Sequence, residues 1–178
     1  MTDTKERSLQ DIGRSAYECI AEMVAALECD YDRLEELREH RTDWLKEHPG
    51  KFLDPKDTRN NYALACPDEA EKLSELTEVA GECESREDAD RRISEDPLSV
   101  EVRSDWHAVG DSEDAGEGEF CILLGTGGPA TRIRGKLSDG EPCRAWLEAQ
   151  DWGTPWTQYF GADQETLLTY ARQFYFGA

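Results

Sequence analysis

The sequence predicts an α+β fold: long N-terminal helices forming a helical hairpin, then a 3–4-stranded antiparallel meander and a C-terminal helix. Two observations lead to this prediction. Apolar residues recur with a period near 3.6 across the first 45 residues, whereas from residue 98 they alternate with polar residues. Short turns separate the alternating segments, which favours antiparallel neighbours. Helices placed before and after such strands are typical of the α+β class.

The N-terminal helical pattern begins at Ser8, a reasonable N-cap, and stops at His48-Pro49-Gly50. It predicts either one helix of about 40 residues or two helices with a break at Cys29-Asp30, where Asp30 and Asp32 would cap the second. The apolar stripe of this pattern comprises Ile12, Ala16, Ile20, Met23, Leu27, Tyr31, Leu34, Leu37, Trp44 and Leu45.

Residues 49–66 are predicted to form a loop. A helix should follow from Pro67 to Gly81, and a shorter one from Ser85 to about Glu95, closed by Asp96-Pro97. We therefore expect a helical region over residues 1–96 and a sheet with a C-terminal helix over residues 97–178. The two regions could form one continuous domain.

Alternation and apolar runs predict strands near residues 98–103, 120–124 and 131–137, with residues 143–152 as a further candidate. The segment 125–129 is predicted to be a wide turn, and the Asp139-Gly140 pair a tight one. An acidic loop is expected over residues 108–118. Asp163 should cap the last helix, which we expect to end at Gly177.

Composition indicates a cytoplasmic protein with a real core. The 178 residues are 38% hydrophobic and include five Trp, six Tyr and five Phe. No apolar run approaches the ~20 residues of a membrane span, and the N-terminus has no apolar signal region. The six cysteines form no C-x-x-C pair, and we expect Cys19 and Cys121 to be small buried hydrophobes.

No motif in the sequence predicts a metal site, a cofactor or a catalytic centre. None of His40, His48 and His107 has another histidine four residues away, and a Cys–His dyad would have to arise through tertiary contact. The glycines of 125–129 precede a strand pattern, whereas a phosphate loop precedes a helix N-terminus. A carboxylate-based hydrolase, for instance one using Asp105 and Glu119, is the weaker enzymatic hypothesis.

Two groups in the C-terminal half have alternative interpretations. Arg132, Arg134 and Lys136 share one strand face, which we interpret as a solvated face or, less favoured, as a docking surface for the protein's own acidic helices. The second group is an aromatic cluster, predicted to pack under the last helix, with an aromatic binding surface as the alternative. Its members are Trp146, Trp152, Trp156, Tyr159 and Phe160.

The net charge is the most informative property of the composition. Forty Asp and Glu against 20 Lys and Arg give a formal charge of -20. Residues 68–96 contain 12 acidic and four basic residues, and residues 105–119 contain six acidic residues and no Lys or Arg. Such a chain repels nucleic acid and anionic membranes and attracts basic surfaces. The alternative interpretation is a surface that only keeps the protein in solution.

Three C-terminal strings are similar to those of an uncharacterised family. They are EDPLSVEVRSDW (95–106), FCILLGTGGPATRIRG (120–135) and RAWLEAQDWGTPWTQYFGADQETLLTYARQFYFG (144–177). The chain thereby resembles small acidic proteins carried by proteobacterial plasmids, integrated conjugative elements and phages. The similarity covers most of residues 85–177 and, more loosely, residues 27–37. This resemblance implies a mobile-element setting, where small acidic proteins often disarm host defence, and it implies no catalytic residues.

The leading hypothesis is an anti-defence inhibitor, anti-CRISPR or antirestriction, that binds a basic nucleic-acid-handling surface. The alternative is a structural or accessory protein of the mobile element that pairs with itself, as a possible homodimer, through its long N-terminal helix. Neither predicts binding to nucleic acid itself. The predicted partner-binding residues are Glu82, Glu84, Glu87, Asp88, Asp90, Asp111, Glu113, Asp114, Glu117, Glu119, Trp152 and Trp156.

Overall fold

The computed structural model describes residues 2–49, 58–104 and 118–176 of the chain. Within these residues the helices and strands follow the predicted helix-first order, and the α+β class is confirmed. The elements are α1 (Thr2–Leu27), α2 (Tyr31–Glu47), α3 (Thr58–Ala65), α4 (Pro67–Ala80), α5 (Arg86–Glu95), β1 (Ser99–Ser104), β2 (Gly118–Gly125), β3 (Ala130–Ser138), β4 (Glu141–Gln150), β5 (Thr157–Tyr159) and α6 (Gln164–Ala171).

The strands form one antiparallel sheet in the order β1-β2-β3-β4-β5, which is a meander. Within the described residues the sheet has five strands, whereas the sequence predicted three to four. The extra strand is β5, which pairs with Leu147–Ala149 of β4. Because β5 has only three residues, its sequence is too short to show an alternating pattern.

The chain divides into two compact units. Ala25–Ala89 forms a helical unit, and Met1–Val24 together with Asp90–Ala178 forms a sheet unit. The sequence placed a single division at residue 96. The structure instead groups most of α1 with the sheet, because Gly13 of α1 lies directly against the ring of Tyr159 in β5.

The break between α1 and α2 follows the two-helix alternative. Asp30 caps α2, and its carboxylate accepts a hydrogen bond of 3.0 Å from the backbone N–H of Arg33. Two expectations were wrong nearby. Helix α1 begins at Thr2, ahead of Ser8, since no Gly or Pro interrupts residues 2–7. Helix α3 occupies part of the expected 49–66 loop. The sequence did not predict it, because eight residues are too few to show a helical period.

The core of the helical unit lies between α2 and α4. Its fully or nearly buried residues are Leu34, Leu37, Leu73, Leu76 and Ala80. Helix α3 adds Tyr62, which is buried and hydrogen-bonded to Nδ1 of His40 at 2.8 Å. The bounds of α4 agree with the prediction, with Pro67 in the first turn and Gly81 ending the helix at a φ of 59°.

The core of the sheet unit lies on one face of the sheet. Ile122, Ile133 and Leu147 face each other across β2, β3 and β4 and are fully buried. Helix α6, capped by Asp163 as predicted, contacts β4 and contributes Tyr170. The Tyr170 hydroxyl donates a 2.5 Å hydrogen bond to the Asp96 carboxylate. Burial of the hydroxyl, together with this carboxylate, raises the pKa of Tyr170.

Candidate protein-interaction site

Helix α2 carries an acidic stripe along one side. Asp32, Glu35, Glu39 and Asp43 follow each other at spacings of three or four residues, which places them on one helical face. All four are exposed. At 1.5 Å per residue the stripe is about 16 Å long. The Asp30 cap sets the start of α2 and thereby the position of this stripe.

The stripe borders a groove of about 860 Å³ within the helical unit, opposite the segment 84–87 that leads into α5. Six carboxylates and three cations line it, so its lining has a net charge of about -3. We call it the acidic groove. Its residues are Tyr31, Asp32, Glu35, Arg38, Glu39, Thr42, Asp43, Lys46, Glu84, Ser85, Arg86 and Glu87.

Local hydrogen bonds hold the far wall of the acidic groove. The backbone N–H of Glu84 donates to the Asp88 carboxylate at 3.2 Å, and the backbone N–H of Asp88 donates to Ser85 Oγ at 3.2 Å. Ser85 thus caps the first turn of α5, and the Asp88 carboxylate holds the residue that precedes this cap, so the two bonds fix the entry into α5. The backbone that carries Glu84 and Glu87 is therefore ordered before any partner arrives.

Only one of the four stripe carboxylates is neutralised by an ion pair within the described part of the chain. Asp43 forms a 2.9 Å ion pair with Lys46, an exposed contact that contributes little stability. Asp32, Glu35 and Glu39 take part in no ion pair among the described residues. Their full charge is therefore available to an incoming cation.

The predicted partner-binding acids of residues 82–90 lie at different places. Glu84 and Glu87 line the acidic groove. Glu82 is exposed but does not line it, and Asp88 is the half-buried carboxylate described above. Asp90 is exposed and belongs to the sheet unit. The stripe residues Asp32, Glu35, Glu39 and Asp43 were missed, although their spacing is visible in the sequence.

Glu119 has a different role from the one predicted. Its carboxylate lies on the polar face of the sheet and binds three cations: Arg103, Arg134 at 2.6 Å and Lys136 at 2.9 Å. The hydrogen bond from Lys136, followed by that from Arg103, lowers the pKa of Glu119 to about 2 against the opposing effect of desolvation. A carboxylate held in this way is not free to bind a partner. It is also a poor acid or base near neutral pH.

We expect Glu119→Gln to destabilise the sheet unit by about 2 kcal/mol at pH 7, because it leaves three neighbouring cations without their shared carboxylate. Solvent screening of the partly exposed cations keeps the effect below that of a fully buried pair. Because the folded pKa is lowered, this stability is present above pH ~4.5 and is lost as the pH falls towards 2. Urea unfolding at pH 7 and pH 3 measures both effects. An equal difference between wild type and variant at the two pH values would contradict the assignment.

Arg132, the third cation of β3 on the polar face, is also paired within the sheet. Arg132 binds Glu148 at 2.7 Å and lies 4.0 Å from the ring centre of Trp156. Trp146 Nε1 donates to the same Glu148 carboxylate at 2.9 Å. The basic strand face is therefore a half-buried network, and neither of the two interpretations anticipated it. The antiparallel register, which sets Arg132 opposite Glu148, creates the pairing.

The aromatic cluster is not packed together under the last helix. Trp146 and Trp156 lie beside the arginines of the polar face. Tyr159 packs against Gly13, while Phe160 is exposed. Trp152 is 76% exposed, although one side of its ring lies against Gly128.

Several predicted features lie outside the described residues. They are Asp105, His107 and residues 108–117 of the acidic loop, with its partner-binding acids Asp111, Glu113, Asp114 and Glu117. Among the cysteines, Cys19 is exposed and Cys121 is half-buried, so the prediction of full burial was wrong for both. In the ranges the structure describes, no three His, Cys, Asp or Glu side chains are grouped to hold a metal ion.

No helix in the described ranges has the length and apolarity needed to cross a membrane. Comparisons of the chain with models of protein families, with curated proteins and with solved structures gave no match.

Proposed function

We propose that the chain is a non-enzymatic interaction protein that uses its acidic groove to bind a basic surface of a nucleic-acid-handling protein. The observation that carries this proposal is the exposed carboxylate stripe of α2, with Glu35 and Glu39 unneutralised and facing the wall of Glu84 and Glu87. A concave site with converging carboxylates favours Arg-rich and Lys-rich partners, since each cation can approach more than one carboxylate.

The charge of the surrounding unit supports the same conclusion. The helical unit contains 19 acidic and nine basic residues, a surplus of ten negative charges over Ala25–Ala89. A field of this sign accelerates encounters with cationic proteins and opposes approach to nucleic acid. The partner is therefore a protein whose own ligand is an anion, and the groove would compete with that anion.

The spacing of the stripe limits how closely it imitates nucleic acid. Its carboxylates recur every ~4.5–6 Å along α2, whereas one DNA strand carries a phosphate every ~3.4 Å along the helix axis. The stripe therefore has a lower charge density than a single strand. This favours occupation of a basic cleft by complementary charge over imitation of a duplex.

The resemblance to proteins of plasmids, conjugative elements and phages narrows the partner class. Restriction enzymes and CRISPR effector complexes both present basic clefts for nucleic acid, and a mobile element gains from blocking either. We therefore propose an anti-defence inhibitor that acts in the host cytoplasm and needs no cofactor.

Affinity capture at two salt concentrations tests this proposal. The immobilised chain is exposed to purified restriction endonucleases and CRISPR effector complexes at 50 mM and 500 mM salt. We expect one of them to be retained at 50 mM salt and to be released at 500 mM, because screening shortens the range of exposed charges to a few ångströms. Failure of every effector to bind at 50 mM salt would contradict the proposal, as would retention independent of salt.

The alternative of pairing through the N-terminal helix receives less support. The apolar stripe expected to pair is buried within the chain at Ile20, Met23, Leu27, Leu34 and Leu37. A coiled coil between copies would need these side chains on the outside.

A further inference from the structure

Strand β1 is an edge strand with exposed apolar side chains. Among the described residues it pairs on one side only, with β2. Val100 and Val102 lie opposite the fully buried Ile122 and Phe120, yet they are 38% and 53% exposed. Leu98, just before the strand, is 60% exposed. The apolar face of the sheet therefore continues to its edge and ends there in contact with water. An edge strand of this kind can pair with a strand of another chain.

The charges of β1 are complementary to those of a second, antiparallel copy of the same strand. Glu101 and Arg103 flank Val102 and point to the opposite face of the strand. If a second copy of β1 runs antiparallel with Val102 opposite the partner's Val102, then Glu101 lies opposite the partner's Arg103, and Arg103 opposite the partner's Glu101. Opposite charges directly across a strand pair are stabilising. Centring the pair on Glu101 would instead oppose two carboxylates.

We propose that β1 pairs antiparallel with β1 of a second copy about a two-fold axis at Val102, joining the two five-stranded sheets into one. The pairing satisfies the outer backbone groups of both edge strands and sets the two exposed Val102 side chains directly opposite each other. It uses the sheet unit and no residue of the acidic groove, so it is independent of the function proposed above.

Net charge gives this self-association an unusual salt dependence. Two chains of charge -20 repel each other, and salt screens that repulsion. We therefore expect dimerisation to strengthen between 50 mM and 500 mM salt, whereas binding to a basic partner weakens over the same range.

Sedimentation equilibrium over a range of protein concentrations at 500 mM salt tests the proposal. The wild type should approach twice its 20.2 kDa mass. Val102→Lys should raise the dimer dissociation constant at least a hundred-fold, because it sets two cations opposite each other at the edge. Val79→Lys, at a 41% exposed position on α4, should leave it unchanged. Circular dichroism verifies that each variant is folded. A wild type that stays monomeric, or a folded V102K that dimerises like wild type, overturns the proposal.

A cross-linking experiment tests the register separately. V102C should form a disulfide with the same position of the partner copy under mild oxidation, since residues directly opposite in an antiparallel pair have Cα atoms about 4.5–5.5 Å apart. Peptide mass mapping distinguishes this link from oxidation of the six native cysteines. E101C should not link to itself, because its opposite residue is the partner's Arg103. Self-linking of E101C in place of V102C, or no link in either, overturns the register.

Discussion

Removing three carboxylates from the acidic groove is expected to weaken binding to the basic partner about ten-fold at 50 mM salt. The variant is Glu35→Gln/Glu39→Gln/Asp43→Asn, and all three positions are exposed on one side of α2. An exposed ion pair contributes about 0.2–1 kcal/mol, so three together correspond to roughly a 3- to 150-fold change in affinity. Titration calorimetry with the effector captured at 50 mM salt measures the change.

The chain offers a matched control for this variant on α4. Glu71→Gln/Glu75→Gln/Glu78→Gln removes the same number of charges at nearly the same helical spacing, and these residues do not line the groove. Each set also contains one carboxylate paired with a lysine three residues away, Asp43 with Lys46 and Glu75 with Lys72. We expect less than a three-fold effect from the control. Equal weakening by both variants would show that only the overall charge matters.

Gly135→Ala is expected to destabilise the sheet unit by about 3 kcal/mol or more. Gly135 lies in the centre of β3, opposite Phe120 on one side and Ala145 on the other. A Cβ atom at this position would lie 2.1 Å from the backbone oxygen of Arg144 and 2.3 Å from the Phe120 ring. The backbone oxygen cannot move away without disturbing the pairing of β3 with β4, and the ring cannot move without disturbing the core. The loss in the free energy of unfolding therefore exceeds that of ordinary overpacking.

Urea unfolding followed by tryptophan fluorescence measures this loss, since Trp146 lies on the neighbouring strand. Gly125→Ala provides the control, because its nearest neighbour would be Thr131 Oγ1 at an ordinary 3.6 Å. We expect the free energy of unfolding of that control to lie within about 1 kcal/mol of the wild-type value. A Gly135→Ala protein as stable as the control would mean that β3 and β4 are farther apart than described.

Local signals in the sequence predicted much of the fold. The cap at Asp30, the proline at the start of α4 and the positive φ of Gly81 each depend on a few neighbouring residues, so the sequence alone reveals them. The Asp139-Gly140 turn is of the same kind, with φ values of 52° and 78°. The register of β3 and β4 follows from this turn and from the apolar alternation.

Features that depend on pairing between distant segments were not predictable. Glu119 was interpreted as a free acid because its cations come from three different positions on two other strands. The strand β5 exists only because Leu147–Ala149 offers it a partner. Burial of Cys19 was expected from the helical period, but the periodic face of α1 does not fix which side meets the core at each turn.

The candidate site was found only in part for a related reason. The high density of acids in residues 68–96 is visible in the sequence, and it predicted Glu84 and Glu87 as partner-binding residues. The α2 stripe was missed because its acids are interspersed with Arg33, Arg38 and Arg41, which lower the local net charge. Spacing along the helix, and not the count of charges, separates the acids that share a face.

Carboxyl footprinting tests most directly whether the carboxylates of the acidic groove contact the cationic partner. Exposed carboxylates are coupled to an amine with a carbodiimide, with and without the captured effector, and the labelled peptides are quantified by mass spectrometry. We expect binding through the groove to protect Asp32, Glu35, Glu39, Asp43, Glu84 and Glu87 in the complex, while Glu71 and Glu78 of α4 remain labelled. Unchanged labelling of the groove, with protection elsewhere on the chain, would contradict it.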